Sequence, residues 1–188
     1  NLLQNEQAIS LKLCNLKSNE ARGVFKTLNI DMRQYANLRM FVHAESVQGF
    51  SSLNDGDIKA VVRIGSDFVS NYYEIKIPLK VTLPGATDSL AIWPQLNNLD
   101  FALNDLIKLK SKRTRSGFSP SKYFKEVQAD GRSYAIVGNP NLGEVRSMLM
   151  AVENTQQTDI CTEVWFNELR FSKLDEKGGY AAIGRIDI

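Results

Sequence analysis

The chain has 188 residues, which is long enough to bury a complete hydrophobic core and favours one large domain over several small ones. Its 23 basic and 21 acidic side chains leave a formal net charge of only +2, which argues against a nucleic-acid-binding protein. No apolar run approaches the roughly 20 residues that a membrane-spanning helix needs. The chain starts at Asn1 without a charged-then-apolar leader, and we interpret it as a piece of a longer protein.

The first half of the chain is dominated by segments in which apolar and polar residues alternate. A period of two is typical of strands that have one face in the core. The predicted strands cover residues 9–14, 28–32, 38–45, 58–64 and 73–79. Within the last of these, Pro78 predicts a position at the edge of a sheet, because proline cannot donate to a neighbouring strand.

The second half opens with the one clear helical pattern, over residues 98–110. Leu99, Leu103, Leu106 and Ile107 recur there at a spacing of three to four residues. A basic, serine-rich loop is predicted over 108–121. Three more predicted features follow, namely a hairpin that turns at Ala129-Asp130-Gly131 and strands at 145–154 and 162–171.

This pattern of eight or nine strands and one helix predicts the fold class. We expect a mainly β protein, an antiparallel β-sandwich of jelly-roll type, rather than a parallel α/β fold. Residues 1–177 are expected to form a single domain. Residues 178–188 are expected to form a tether toward the next segment of the parent protein.

The two cysteines, Cys14 and Cys161, stand at opposite ends of the chain. Cys14 closes the first predicted strand and Cys161 opens the last one. If these strands pair antiparallel, the two thiols lie close together, which allows a disulfide in an oxidising compartment. The alternative is a pair of small buried thiols, and the sequence leaves both interpretations open.

The inventory of catalytic residues is small. His43 is the only histidine, the cysteines are 147 positions apart, and no nucleophile elbow or phosphate-binding loop is present. The sequence therefore predicts no enzymatic activity, no metal site and no cofactor. Clustered carboxylates such as Asp55 and Asp57 could bind calcium, but we expect them to form turns.

Two further groups of residues suggest surfaces. Trp93, between a strand and the predicted helix, is a candidate groove-lining ring, whereas Trp165 is expected in the core. A run of five basic residues is a candidate anion patch, with a mobile solvated loop as the alternative: Lys108, Lys110, Lys112, Arg113 and Arg115.

The C-terminal part of the chain carries a family resemblance. Residues 163–170 read EVWFNELR, and residues 175–182 read DEKGGYAA. Together they resemble the SprA/Sov family of cell-surface proteins, which belong to the outer-membrane translocon of the Bacteroidetes type IX secretion and gliding machinery. Further segments that resemble the family lie at 25–33, 40–45, 63–67, 71–74 and 138–143.

The resemblance implies a function. A member of this family would be a non-catalytic structural or interaction domain, associated with the outer membrane on its periplasmic or extracellular face. Its partners would be the parent barrel, other secretion-system proteins and secreted cargo, but not nucleic acid, and the tether would lead into a barrel strand. The alternative is a carbohydrate-binding jelly-roll module of a surface protein.

Overall fold

A computed structural model describes residues 8–174, which contain ten strands in two antiparallel sheets. The strands are β1 (Ala8–Leu16), β2 (Ala21–Ile30), β3 (Tyr35–Ser46), β4 (Ile58–Gly65), β5 (Tyr72–Pro78), β6 (Leu99–Ala102), β7 (Phe124–Val127), β8 (Ser133–Val137), β9 (Val145–Asn154) and β10 (Ile160–Leu174). Two α-helices, α1 (Ser89–Ile92) and α2 (Leu103–Arg115), and two single 3-10 turns, Met32–Gln34 and Gln95–Asn97, complete the described elements.

The order of the strands is that of a jelly roll. One sheet runs β1-β10-β3-β6 and the other runs β2-β9-β4-β5-β8-β7. Eight of the strands make the two four-stranded halves of a jelly roll, and the β7–β8 hairpin extends the second half to six strands. The prediction of a mainly β, antiparallel sandwich is confirmed.

The core lies between the sheets, as the alternating pattern predicts. Along β3, the side chains of Leu38, Met40, Val42 and Ala44 are buried. The residues between them point to the outer face of the sheet, where neighbouring side chains cover some of them. Each fully buried aliphatic side chain of this kind contributes about 1.5–3 kcal/mol.

The first and last strands pair antiparallel, which is the arrangement that allows a disulfide between Cys14 and Cys161. Their register places Leu11 opposite Val164 and Lys12 opposite Glu163. A register shift in the pairing of β10 with β3, between Asn167 and Arg170, coincides with the positive φ of Glu168 (54°). Such a bulge changes which residues face the core, and Phe171 beyond it packs against Tyr35.

The predicted helix over 98–110 is wrong at its start and too short at its end. Leu99 and Phe101 are both buried, and the exposed Asp100 between them pairs with Arg39, so 99–102 follow the strand period and join β3 as β6. The helix begins at Leu103 and continues to Arg115. The predicted loop therefore begins only at Ser116.

The edge position predicted from Pro78 is also wrong. Strand β5 lies between β4 and β8 inside the six-stranded sheet. Pro78 is nevertheless compatible with this position, because it is the last residue of β5 and the pairing with β8 ends at Lys76. The missing N–H group of the proline therefore removes no bond to β8.

The predicted strand at 28–32 starts earlier, at Ala21, and ends at Ile30.

The boundary predicted between residues 177 and 178 lies outside the described residues. None of the helices in 8–174 has the length and hydropathy of a membrane-spanning helix.

Candidate interaction surface

The outer face of the four-stranded sheet carries a group of rings. Trp165 of β10 lies opposite His43 of β3 on one side and Ser10 of β1 on the other. Phe41 lies two residues along β3, on the same face. We call the rings of Phe41, His43, Trp93 and Trp165 the aromatic face.

Trp93 reaches this face through the short helix α1. The carboxylate of Asp88 caps α1 by accepting hydrogen bonds from the N–H groups of Leu90 and Ala91. The Trp93 ring then lies edge-on to Phe41, with 6.5 Å between ring centroids, and 5.7 Å from His43. Trp93, the candidate groove ring, is thus half-buried and packed on the sheet.

His43 holds α1 against the sheet. Its side chain is 4% exposed, and its Nδ1 lies 2.7 Å from the carbonyl oxygen of Ile92. Because a carbonyl only accepts, Nδ1 carries the proton of this bond. Nε2 lies 3.3 Å from Glu45 Oε2, and the Trp165 ring lies 5.1 Å from the imidazole. These contacts give His43 a structural role.

Glu163 is held in place beside the aromatic face. Its Oε1 accepts hydrogen bonds from Trp165 Nε1 at 2.8 Å and from Ser10 Oγ at 3.0 Å. The bond from Trp165, followed by that from Ser10, lowers the pKa of Glu163 below its usual range. The register places this carboxylate opposite Glu45 on β3.

An open cavity of about 570 Å³ lies next to these carboxylates. Lys12, Glu45 and Glu163 contribute to its lining, together with residues of the loop 46–52, Thr82 and Pro84. A size of this order is within the range of small-molecule sites. Sequence reasoning missed this cavity, although Lys12, Glu163 and Glu45 share one row of the sheet.

Charged residues continue the surface on the opposite side of Phe41. Arg39 pairs with Asp100, and Arg170 pairs with Glu168. Phe41 itself is 39% exposed. Partly exposed rings surrounded by charged pairs and enriched in arginine are typical of surfaces that bind other proteins.

The prediction that Trp165 belongs to the core is wrong. Val164 and Phe166 face the core, and the period of two turns Trp165 to the outer face. The sequence shows the alternation, but all three residues are apolar, so the pattern does not say which face is buried. The indole N–H has its hydrogen bond to Glu163 on that outer face.

The candidate disulfide residues are brought together. Cys14 of β1 and Cys161 of β10 form a disulfide in the structure, with 4.1 Å between their Cα atoms and 147 positions between them in sequence. The pairing of the first and last strands places them there. The bond ties the two strands together at one end of the four-stranded sheet.

The five candidate anion-patch residues do not form one patch. All five lie in α2, not in a loop. Arg113 is buried and Lys110 donates to the carbonyl of Pro140, so both hold the loop after β8. Lys108 pairs with Asp105 and Lys112 with Glu126. Lys108, Lys112 and Arg115 are exposed, but the first two are already paired with carboxylates.

The aspartates considered for calcium accept hydrogen bonds from backbone N–H groups. Asp55 Oδ1 accepts from the N–H of Val81, and Asp57 Oδ2 accepts from that of Asn54. Asp67 caps the 66–71 turn by accepting from the N–H groups of Ser70 and Val69. Within residues 8–174 no group of three or more His, Cys, Asp or Glu side chains is placed to hold a metal ion.

An ionic network around the buried Glu74 lies on the outer face of the six-stranded sheet. Glu74 is 1% exposed and accepts from Arg63 Nε at 2.6 Å and from the Tyr123 hydroxyl at 2.5 Å. Burial, and then this bond to Glu74, raises the pKa of Tyr123. The Arg63 guanidinium also lies over the ring of Tyr72, 4.6 Å from its centroid. This network is a structural feature.

The fold defines a class: a jelly-roll β-sandwich domain, here with a group of aromatic rings on the outer face of its four-stranded sheet. The model of the SprA_N family, described as a motility related/secretion protein, matches residues 1–188. The chain therefore belongs to the SprA_N family, and the resemblance read from the sequence is confirmed. No curated protein matches the chain significantly.

Proposed function

We propose that the chain is a non-catalytic interaction domain of a large outer-membrane translocon of the SprA/Sov type, and that it serves protein export and gliding motility in Bacteroidetes. Its partners would be other parts of the parent barrel, further secretion-system proteins and secreted cargo. The family match over the whole chain supports a role in secretion or motility. The aromatic face is the observation that supports an interaction role.

The contacts of the aromatic face support binding rather than catalysis. His43 is buried under α1 and bonded to the Ile92 carbonyl, so its ring is committed to holding the fold. Glu163 is committed through Oε1 to Trp165 and Ser10. What remains accessible is ring surface and the charged pairs around it, such as Arg39 with Asp100.

A substitution in the parent protein tests this proposal. We expect Phe41→Asp to lower secretion of a reporter cargo, because it places a charge in the centre of the contact surface. Val127→Asp is the matched control, since Val127 is 63% exposed on β7 of the other sheet. Equal secretion by the two variants, at equal abundance and equal protease resistance, would contradict the proposal.

Carbohydrate binding is a second candidate function. The specific observation that favours it is the open cavity beside Glu45 and Glu163, which is lined by carboxylates, hydroxyl groups and one exposed ring, Phe50. This cavity lies beside the aromatic face and not within it, so the two functions are compatible.

A further inference from the structure

We infer that the cavity beside Glu45 and Glu163 is a binding site for a neutral glycan. The inference rests on the second candidate function and names the residues and the ligand class. It concerns a site separate from the protein-contact surface around Phe41.

Two carboxylates that line the cavity offer acceptors, and that of Glu163 is held in place by hydrogen bonds. Glu163 binds Trp165 and Ser10 through Oε1, and Glu45 lies near His43 through Oε2. Among the described residues, the second oxygen of each carboxylate has no hydrogen-bond donor. Because the two glutamates lie opposite each other on neighbouring strands, their free oxygens form a pair of acceptors for adjacent hydroxyl groups.

Other lining residues offer an apolar surface and hydrogen-bond donors. Phe50 is 56% exposed, although a phenylalanine gains nothing from contact with water. The C–H face of a pyranose ring is apolar and packs on such a ring, while its hydroxyl groups reach polar partners. Lys12 and Ser52, which also line the cavity, supply donors for sugar oxygens.

The same residues argue against other ligands. Two carboxylates repel a phosphate or a sulfated sugar. An extended peptide cannot pair with the strands that carry the two glutamates, because β10 lies between β1 and β3, and Thr82 pairs with β3 at Glu45. A polyhydroxylated neutral ligand uses the acceptors, the donors and the ring together.

Binding of oligosaccharides to the 188-residue chain tests the inference. The probes are neutral oligosaccharides of glucose, mannose, galactose or N-acetylglucosamine, with a sialylated oligosaccharide and a lysine-rich peptide for comparison. We expect at least one neutral probe to bind in a calorimetric titration. Phe50→Ala and Glu163→Gln should each weaken that binding by about tenfold or more.

Matched controls make the result specific. Phe25→Ala removes a ring that is 69% exposed on β2 of the other sheet, and Glu144→Gln removes an exposed carboxylate distant from the cavity. Both should bind as the unaltered chain does. Phe50→Ala keeps the experiment informative if Glu163→Gln unfolds, because the exposed ring of Phe50 contributes little packing.

Three outcomes would overturn the inference. They are an absence of binding by every neutral probe at millimolar concentration, equal weakening by the control variants, and binding of only the lysine-rich peptide. None of these bears on the interaction role, because Phe41→Asp tests that role through secretion, and Phe50→Ala leaves Phe41 in place.

Discussion

The buried guanidinium of Arg113 in α2 donates a hydrogen bond to the carbonyl of Gly138, with 2.6 Å between Nη1 and the oxygen. Its Nη2 donates to Asn139 Oδ1 at 3.0 Å. No carboxylate lies within 4.0 Å of it in the described residues. Arg113 is 1% exposed, so a residue that reads as part of a basic surface run instead joins α2 to the end of β8.

Removing this side chain should destabilise the domain. We expect Arg113→Ala to lower the free energy of unfolding by about 2–4 kcal/mol, because the carbonyl of Gly138 and the amide of Asn139 lose their donors and a cavity forms. Arg115→Ala, an exposed change in the same helix, should stay within about 0.5 kcal/mol. Denaturant unfolding measures both, and equal values would show that Arg113 is not a structural residue.

The disulfide should contribute a large share of the stability. Cys14→Ala combined with Cys161→Ala should lower the free energy of unfolding by about 2–5 kcal/mol, because the bond closes a long loop in the unfolded chain. Reduction of the unaltered protein should lower its melting temperature to that of the double variant. Free thiols at both positions in oxidised, folded protein, detected by mass spectrometry, would contradict the pairing.

Asp67 should make the domain sensitive to acid. A hydrogen bond from the N–H of Ser70 is the main cause that lowers the pKa of Asp67 to about 2. The N–H groups of Val69 and Asn71 add to this effect. A carboxyl group whose pKa is lower in the folded state than in the unfolded state stabilises the fold at pH values above its unfolded pKa of about 4. That stability is lost as the pH falls toward about 2. The unfolding free energy of Asp67→Asn should depend less on pH in this window, whereas the exposed change Asp159→Asn should leave the dependence intact.

Tyr123 should make the stability of the domain sensitive to alkaline pH. Burial and the bond to Glu74 raise its pKa, and burial raises the pKa of Tyr73 to about 12. A tyrosine whose pKa is raised by folding stabilises the fold at pH values below its unfolded pKa of about 10. This stabilisation is lost as the pH rises above that unfolded pKa. Tyr123→Phe should therefore reduce the alkaline loss of stability. If Tyr35→Phe, on the other sheet, reduces it equally, the assignment to Tyr123 is wrong.

The sequence predicts the sandwich because most of its strands have one apolar face, and the alternation of apolar and polar residues along a strand such as β4 is visible without knowledge of its neighbours. It misplaces the start of α2, because Leu99 and Leu103 fit the helical period as well as Leu99 and Phe101 fit the strand period. Only the pairing of Asp100 with Arg39 decides between them.

The candidate surface is harder to predict than the fold. Trp93 joins His43 and Trp165 through a short helix and two separate strands, so their proximity depends on sheet register rather than on local sequence. The position of Pro78 illustrates the same limit, since an interior strand tolerates proline only where its neighbour has ended.

Site-specific photo-cross-linking in cells can show whether the aromatic face contacts other proteins during secretion. A photoreactive residue replaces Phe41 in one version of the parent protein and Val127 in another, and cross-linked products are identified by mass spectrometry. If the aromatic face contacts other proteins, cross-linked products should join position 41 to the parent barrel, a secretion-system protein or cargo, and none should form from position 127. Products from position 127 alone, or equal products from both positions, would contradict this expectation.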